Sequence, residues 1–252
     1  MKGIVPLAEL LCWYQSWNMK ILPKTVRIMG GEPLLHPHLE TILYETRNHW
    51  KDSKIELITN GLLLPQVEVS VFDALKEIGA TVIVSKHFDD QHYNAMIRTG
   101  INALKRHGII PYVLQSGQSW RKFYRLDEQG CAVPYQSDPA KAWSICLAKN
   151  CYTTLIDNCL YRCPQLGCYS YAAKKGFVSE DWKAVLNYEP LKPSCTQDEL
   201  KAFMHEGPCE QCSVCPEQFQ YATKYEKINP FGIPSIRKHF CSASHQDSEK
   251  ES

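Results

Sequence analysis

From residue 6 to residue 114 the apolar positions switch repeatedly between a helical and a strand spacing. Leu7, Leu10, Leu11, Tyr14 and Trp17 form one stripe of a helix over residues 6–21, with Pro6 suited to a first helical position. Residues 25–29, Thr-Val-Arg-Ile-Met, predict a short strand that runs into a turn at Gly30-Gly31-Glu32-Pro33. A second helix is predicted over 38–50 and a strand over 55–58, stopping at the turn signal Thr59-Asn60-Gly61. A helix over 67–78, a buried strand over 81–84, a helix over 90–107 ended by Gly108, and a strand over 109–114 complete the series. Strands separated by helices of this length imply βαβ units and a parallel sheet. Ligands on such sheets sit at the C-terminal strand ends. Gly30-Gly31-Glu32, Asn60-Gly61 and Ser85-Lys86 fall there.

Beyond about residue 116 the periodicity weakens, and Gly, Pro, Cys and aromatic residues become more frequent. Two short strands are predicted at 152–156 and 160–162 around the hairpin turn Asp157-Asn158. Residues 198–204 predict a short helix, and the polar tail from about 242 predicts disorder. The expected domains are 1–120, 121–225 and a C-terminal extension over 226–252.

Composition narrows the function classes. An apolar fraction of 44% supports a real core, and a net charge of +1 makes no electrostatic case for nucleic acid or a membrane surface. No apolar run approaches a membrane span, and the first six residues are too soon interrupted for a signal peptide. The expected compartment is therefore cytoplasmic and reducing, where structural disulfides are rare. Against that background the 12 cysteines are anomalous, and ten of them lie between Cys146 and Cys241. Such clustering points to metal or redox chemistry.

Cys209-x2-Cys212-x2-Cys215 is the tightest group; two-residue spacing lets two thiolates meet one metal centre from a single turn. Its partners must come from Cys146, Cys151, Cys159, Cys163 and Cys168. Cys163 precedes Pro164 at the end of the predicted hairpin, where a ligand projects freely. Cys12, Cys131, Cys159, Cys168, Cys195 and Cys241 read better as plain thiols. Spacing does not separate iron from zinc. His36-Pro37-His38 reads as helix-entry packing rather than a metal pair. Lys86 and His87 read equally as substrate contacts or a solvated strand end. Arg121 and Arg125 read as surface ion-pair residues, with an anionic-substrate contact as the alternative, and Trp143 and Trp182 as core. Neither a nucleophilic triad nor a phosphate-binding loop is present, so hydrolase and kinase readings lack support.

Gly30-Gly31-Glu32-Pro33, closing a strand and followed by Leu34-Leu35-His36-Pro37, resembles the GGEP motif of the radical S-adenosylmethionine (SAM) enzymes. By that resemblance Gly30, Gly31, Glu32 and Pro33 bind the methionyl amino group of SAM, Asn60 belongs to the following strand end, and Ser85 contacts the ribose. Two glycines permit close backbone approach, and a carboxylate pairs with an ammonium group. The C-terminal half resembles the auxiliary-cluster SPASM and twitch domains of the same superfamily. Cys146, then Asn158 in place of a turn glycine, then Cys163, and later Cys209 and Cys212, fit that ligand pattern. The resemblance implies one [4Fe–4S] cluster on these four, with Cys151 and Cys215 as alternatives.

The implied fold is α/β: a partial (β/α) barrel lacking its first strand, followed by a small cysteine-rich auxiliary-cluster domain. The implied activity is radical-based modification or oxidation of a small-molecule or peptide substrate, with an electron donor such as a flavodoxin or ferredoxin. One departure is large: no C-x3-C-x2-C, the motif that ligates the SAM-binding cluster, occurs in the chain. Truncation of a contiguous upstream block is the expectation, and a degenerate protein that has lost the cluster is the alternative; the chain as given, lacking those three ligands, is expected not to cleave SAM reductively. A non-catalytic iron–sulfur protein and a zinc-stabilised binding module are the competing readings.

Overall fold

The computed structural model describes residues 3–87, 91–115, 120–128, 132–149, 153–174, 180–204 and 207–222. The chain divides into two compact units, Met1–Trp120 and Arg121–Ser252.

The first unit is a mixed α/β layer. Its elements are α1 (Leu7–Trp17), β1 (Thr25–Ile28), α2 (Leu39–His49), β2 (Lys54–Thr59), α3 (Val69–Glu77), β3 (Thr81–Lys86), α4 (Gln91–Arg106) and β4 (Tyr112–Gln115). The four strands pair in parallel in the order β1-β2-β3-β4. Right-handed crossovers in a sequential order all advance the same way, which brings their helices to one face. The core matches that winding. Ile55 and Leu57 of β2 and Val82 and Val84 of β3 pack with Leu39 and Leu43 of α2, Phe72 and Leu75 of α3, and Ile97 and Leu104 of α4. Strand periodicity turns Arg27, Glu56, Ile58, Ile83 and Ser85 to the other face.

Helix α1 joins this layer through α2: Tyr14 stacks edge-on against Trp50, 4.9 Å between ring centroids, and shares a 3.0 Å hydrogen bond with buried Thr46. Pro6 is the residue before the helix rather than its first position. β3 continues two residues beyond its expected end, so Ser85 and Lys86 are strand residues. β4 begins at Tyr112, after Pro111, whose missing N–H cannot join the ladder.

In the second unit, Thr154–Ile156 and Cys159–Tyr161 form an antiparallel hairpin in the register Ile156↔Cys159. Its two-residue turn holds Asp157 at φ 49° and Asn158 at φ 57°, a left-handed pair that asparagine and aspartate tolerate. Four helices follow the chain: α5 (Pro139–Ser144), α6 (Pro164–Lys174), α7 (Lys183–Leu186) and α8 (Gln197–Phe203). Helix α8 opens with a capping box between Thr196 and Glu199. Helix α6 has no counterpart in the sequence reading. Its packed face carries Leu166, Gly167 and Ser170 instead of an apolar stripe. A Cβ at Gly167 would stand 2.7 Å from Ile156 Cδ1, so glycine lets the helix sit against the hairpin.

Trp182 is buried, with its indole N–H donating to Ala132 O at 3.3 Å, whereas Trp143 is only half-buried beneath Lys149. The expected core role thus holds for Trp182 alone. The whole 226–252 extension expected from sequence, with its tail beyond 242, lies outside the described residues. Among the described residues, no helix is long and apolar enough to cross a membrane.

Candidate functional site

The C-terminal ends of β1 and β2 are tied together by one carboxylate. Glu32 Oε1 accepts from Leu34 N–H at 3.1 Å and from Thr59 Oγ1 at 2.7 Å, and Oε2 accepts from Asn60 N–H at 2.9 Å. A carboxylate offers about four acceptor sites, so three internal donors fix the group and leave capacity on Oε2. Pro33 starts a 3₁₀ turn over Pro33–Leu35, which Glu32 caps. Thr59 Oγ1 in turn accepts from Gly61 N–H at 3.0 Å, and Asn60 Oδ1 accepts from Leu62 N–H at 2.9 Å. Asn60 therefore spends its side-chain oxygen on the turn.

Gly30 and Gly31 are exposed, and neither has a positive φ. A Cβ added to either would meet no described atom within 4 Å. Neither packing nor backbone conformation requires glycine at these two positions. Gly61 differs: it sits at φ 78°, and its Cβ would stand 2.8 Å from Val84 Cγ1.

Ser85 is the penultimate residue of β3, buried and opposite Leu114 of β4. His87 follows the strand; its backbone N–H donates to Tyr93 OH at 3.1 Å. Burial lowers the His87 pKa, while the charge of Glu32 works the other way. His87 is thus within electrostatic reach of Glu32. His36 has both ring nitrogens engaged: Nε2 lies 3.0 Å from Val5 O, and Nδ1 accepts from His38 N–H at 3.1 Å. That agrees with helix-entry packing.

In the second unit, the cysteines singled out from two distant stretches of sequence come together. Cys163 stands at the start of α6, where its sulfur accepts from Leu166 N–H at 3.5 Å. Cys146 follows α5, and its sulfur accepts from Ala148 N–H at 3.3 Å. Cys209 precedes the 3₁₀ turn Glu210–Val214, which contains Cys212, and their sulfurs are 3.8 Å apart. Cys159, Cys163, Cys209 and Cys215 pack against the buried cluster of Tyr161, Leu166, Trp182, Val185 and Val214.

The thiols influence one another's ionisation. Burial pushes Cys163 up to about 11, with Cys146 and Cys209 adding to the rise. Burial likewise pushes Cys215 up to about 12, reinforced by Cys163, Cys146 and Cys209. Cys209 is lowered, first by the hydrogen bond it shares with Cys212 and further by the Arg162 guanidinium, against its burial. Cys212 is raised, first by the same shared hydrogen bond and then by burial.

Cys215, the alternative to Cys212, therefore senses Cys146, Cys163 and Cys209 directly. Cys151, the alternative to Cys146, lies outside the described residues, as do Cys131 and Cys241. Cys12 and Cys168 are exposed thiols, and Cys195 is buried.

Among the described residues, no three Cys, His, Asp or Glu side chains stand close enough to hold one metal ion. The thiols gather over a wider, electrostatic range. In donor chemistry the group is a set of thiols, the ligand type of both zinc and iron–sulfur centres. Soft sulfur ligands, partial burial and backbone N–H bonds to sulfur are the features that iron–sulfur clusters use.

Sequence reasoning missed Arg162 and Tyr188. Arg162 immediately precedes Cys163, donating its backbone N–H to Tyr188 OH at 3.2 Å and its Nη2–H to Gly207 O at 3.3 Å. Only adjacency to Cys163 marked Arg162 in the sequence, and nothing there marked Tyr188. The two arginines read as surface ion-pair residues hold other partners: Arg121 lies 4.2 Å from the Phe219 ring centroid, and Arg125 donates to Pro134 O at 3.2 Å. No protein-family model matches the chain, and a search of curated proteins finds no match.

Proposed function

We propose that this is a radical SAM-type protein that carries an auxiliary [4Fe–4S] cluster on Cys146, Cys163 and Cys209, with Cys212 or Cys215 as fourth ligand. The carrying observation is the convergence of Cys146, Cys163, Cys209 and Cys215, which sense one another's charge although they span 70 positions of sequence. In this reading S-adenosylmethionine binds at the strand ends of the first unit. Glu32 would accept the methionyl ammonium at its remaining capacity, and Gly30 and Gly31 would let it approach the backbone. The sequential strand order and one-sided helix layer support barrel-type winding around that end.

When bound, the auxiliary cluster supplies one-electron transfer or an anchoring site for substrate. The chain's own residues hold its ligands. α6 and the 3₁₀ turn aim backbone N–H groups at sulfur, and the Trp182 cluster packs against Cys163, Cys209 and Cys215. A second reading is a protein of the same descent that binds iron–sulfur without cleaving SAM.

Anaerobic reconstitution of the full chain with iron and sulfide tests the cluster. Broad visible charge-transfer absorption with stoichiometric iron is expected, and Cys163→Ala and Cys209→Ala should each abolish it. Unchanged spectra in both variants would overturn the ligand assignment. Tight zinc uptake with no iron–sulfur absorption would replace the reading with a zinc-stabilised module. Release of 5′-deoxyadenosine from SAM would exclude the non-catalytic alternative.

A further inference from the structure

We propose that Arg162 is a positioning residue of the cysteine site, holding the Cys163 segment to the Cys209 segment and keeping a fixed positive charge at the cluster's edge. The inference rests on the cluster reading above. Three geometric observations carry it. Arg162 is the residue before Cys163, at the exit of the hairpin strand Cys159–Tyr161. Its backbone is held by the 3.2 Å bond to Tyr188 OH, and the Tyr188 ring stacks on Tyr161 with 5.9 Å between centroids. Its guanidinium reaches Gly207 O, two residues before Cys209. One residue therefore links two ligand segments that are 46 positions apart in sequence.

The charge matters as well as the link. The hydrogen bond to Gly207 O holds the Arg162 guanidinium two residues from Cys209 in sequence. An arginine stays protonated at every relevant pH, so this charge does not titrate. Reducing an iron–sulfur cluster adds negative charge, and a fixed cation nearby stabilises the reduced form. Net charge and outer-shell hydrogen bonds are the levers by which a protein sets such a potential.

The test uses the full chain reconstituted anaerobically, with Arg162→Gln, Arg162→Met and Arg162→Lys beside the parent. Iron content, far-ultraviolet circular dichroism and the midpoint potential of the cluster are measured for each. The neutral variants are expected to load iron as the parent does. Their reduced-to-oxidised ratio at fixed potential should fall by roughly tenfold, a negative shift of about 59 mV for a one-electron couple. Arg162→Lys should return the potential close to the parent value. Loss of the cluster in both neutral variants, with retention in Arg162→Lys, would also support a role for the charge.

The inference fails if the neutral variants keep the parent potential. It also fails if Arg162→Lys loses the cluster as completely as they do, since the residue would then be a neutral strap. If the parent chain itself takes up no iron–sulfur cluster, the cluster reading falls and this inference falls with it. A loaded parent with an unmoved potential removes the inference alone.

Discussion

Arg27 Nε stands 2.6 Å from Glu56 Oε2, and the two residues are register partners on β1 and β2. Lys54 holds the other carboxylate oxygen at 2.7 Å. The Glu56 side chain is only 6% exposed, on the sheet face opposite the helices. Burial is the largest influence on its pKa and raises it, but the Lys54 and Arg27 bonds together outweigh burial and hold it below the usual glutamate range. The unfolded chain therefore binds a proton before the folded one as pH falls. Stability from this group is complete above the unfolded value, about 4.3, and drains away through the lower folded value. Acid unfolding of the parent chain should steepen in that window, and Glu56→Gln should flatten it. Equal acid sensitivity of parent and variant, followed by circular dichroism against pH, would refute this.

Thr59 serves two partners at once, donating to Glu32 and accepting from Gly61 N–H. Thr59→Val keeps the shape but leaves Gly61 N–H without its acceptor and removes one of the three donors to Glu32. A loss of about 1–3 kcal/mol is expected, with Thr59→Ser recovering most of it. Urea unfolding midpoints check this, and a Thr59→Val chain as stable as the parent would contradict it.

The glycines separate by physical cause. A Cβ at Gly100 would lie 2.4 Å from Gly61 O, so Gly100→Ala must force α4 away from the β2 turn. A destabilisation of about 1–3 kcal/mol or more is expected. Gly30→Ala and Gly31→Ala meet nothing and should change stability by no more than about 0.5 kcal/mol. If SAM binds where proposed, those two neutral substitutions should nevertheless weaken its binding in equilibrium dialysis. Unchanged SAM retention would remove the glycine pair from that site.

At the hairpin turn, Asn158 occupies φ 57°, which a β-branched residue resists. Asn158→Gly should be neutral or slightly stabilising, whereas Asn158→Val should cost about 1–3 kcal/mol. The turn leads through Cys159–Tyr161 to Cys163, so iron uptake by Asn158→Val should fall while that of Asn158→Gly does not. Parallel iron assays on the two variants decide the matter.

Much of the first unit was legible because its helices and strands are amphipathic in opposite periods. The stripe through Tyr14 and Trp17 and the run from Ile55 to Ile58 each had one reading. Element ends were less legible, since Ser85 and Lys86 look like a polar strand exit yet continue the β3 ladder. Helix α6 was invisible because buried Gly167, against the hairpin, and buried Ser170 stand where an apolar stripe would be sought. Trp143 was misjudged because composition cannot tell a core indole from one beneath Lys149.

The local grammar of this chain was set by sequence alone: the strand–helix alternation, the left-handed Asp157-Asn158 turn, and the cysteine pair at Cys209 and Cys212. Each rests on interactions between residues close in the chain, where spacing is geometry. Tertiary structure decided what spacing does not reach. It set Cys146 and Cys163 within electrostatic reach of the turn from Cys209 to Cys215, gave Glu32 donors from Thr59 and Asn60, and laid Arg162 against Gly207. These contacts join segments tens of residues apart. Their partners are chosen by how the hairpin, α6 and the strands pack, so no local pattern could have named them.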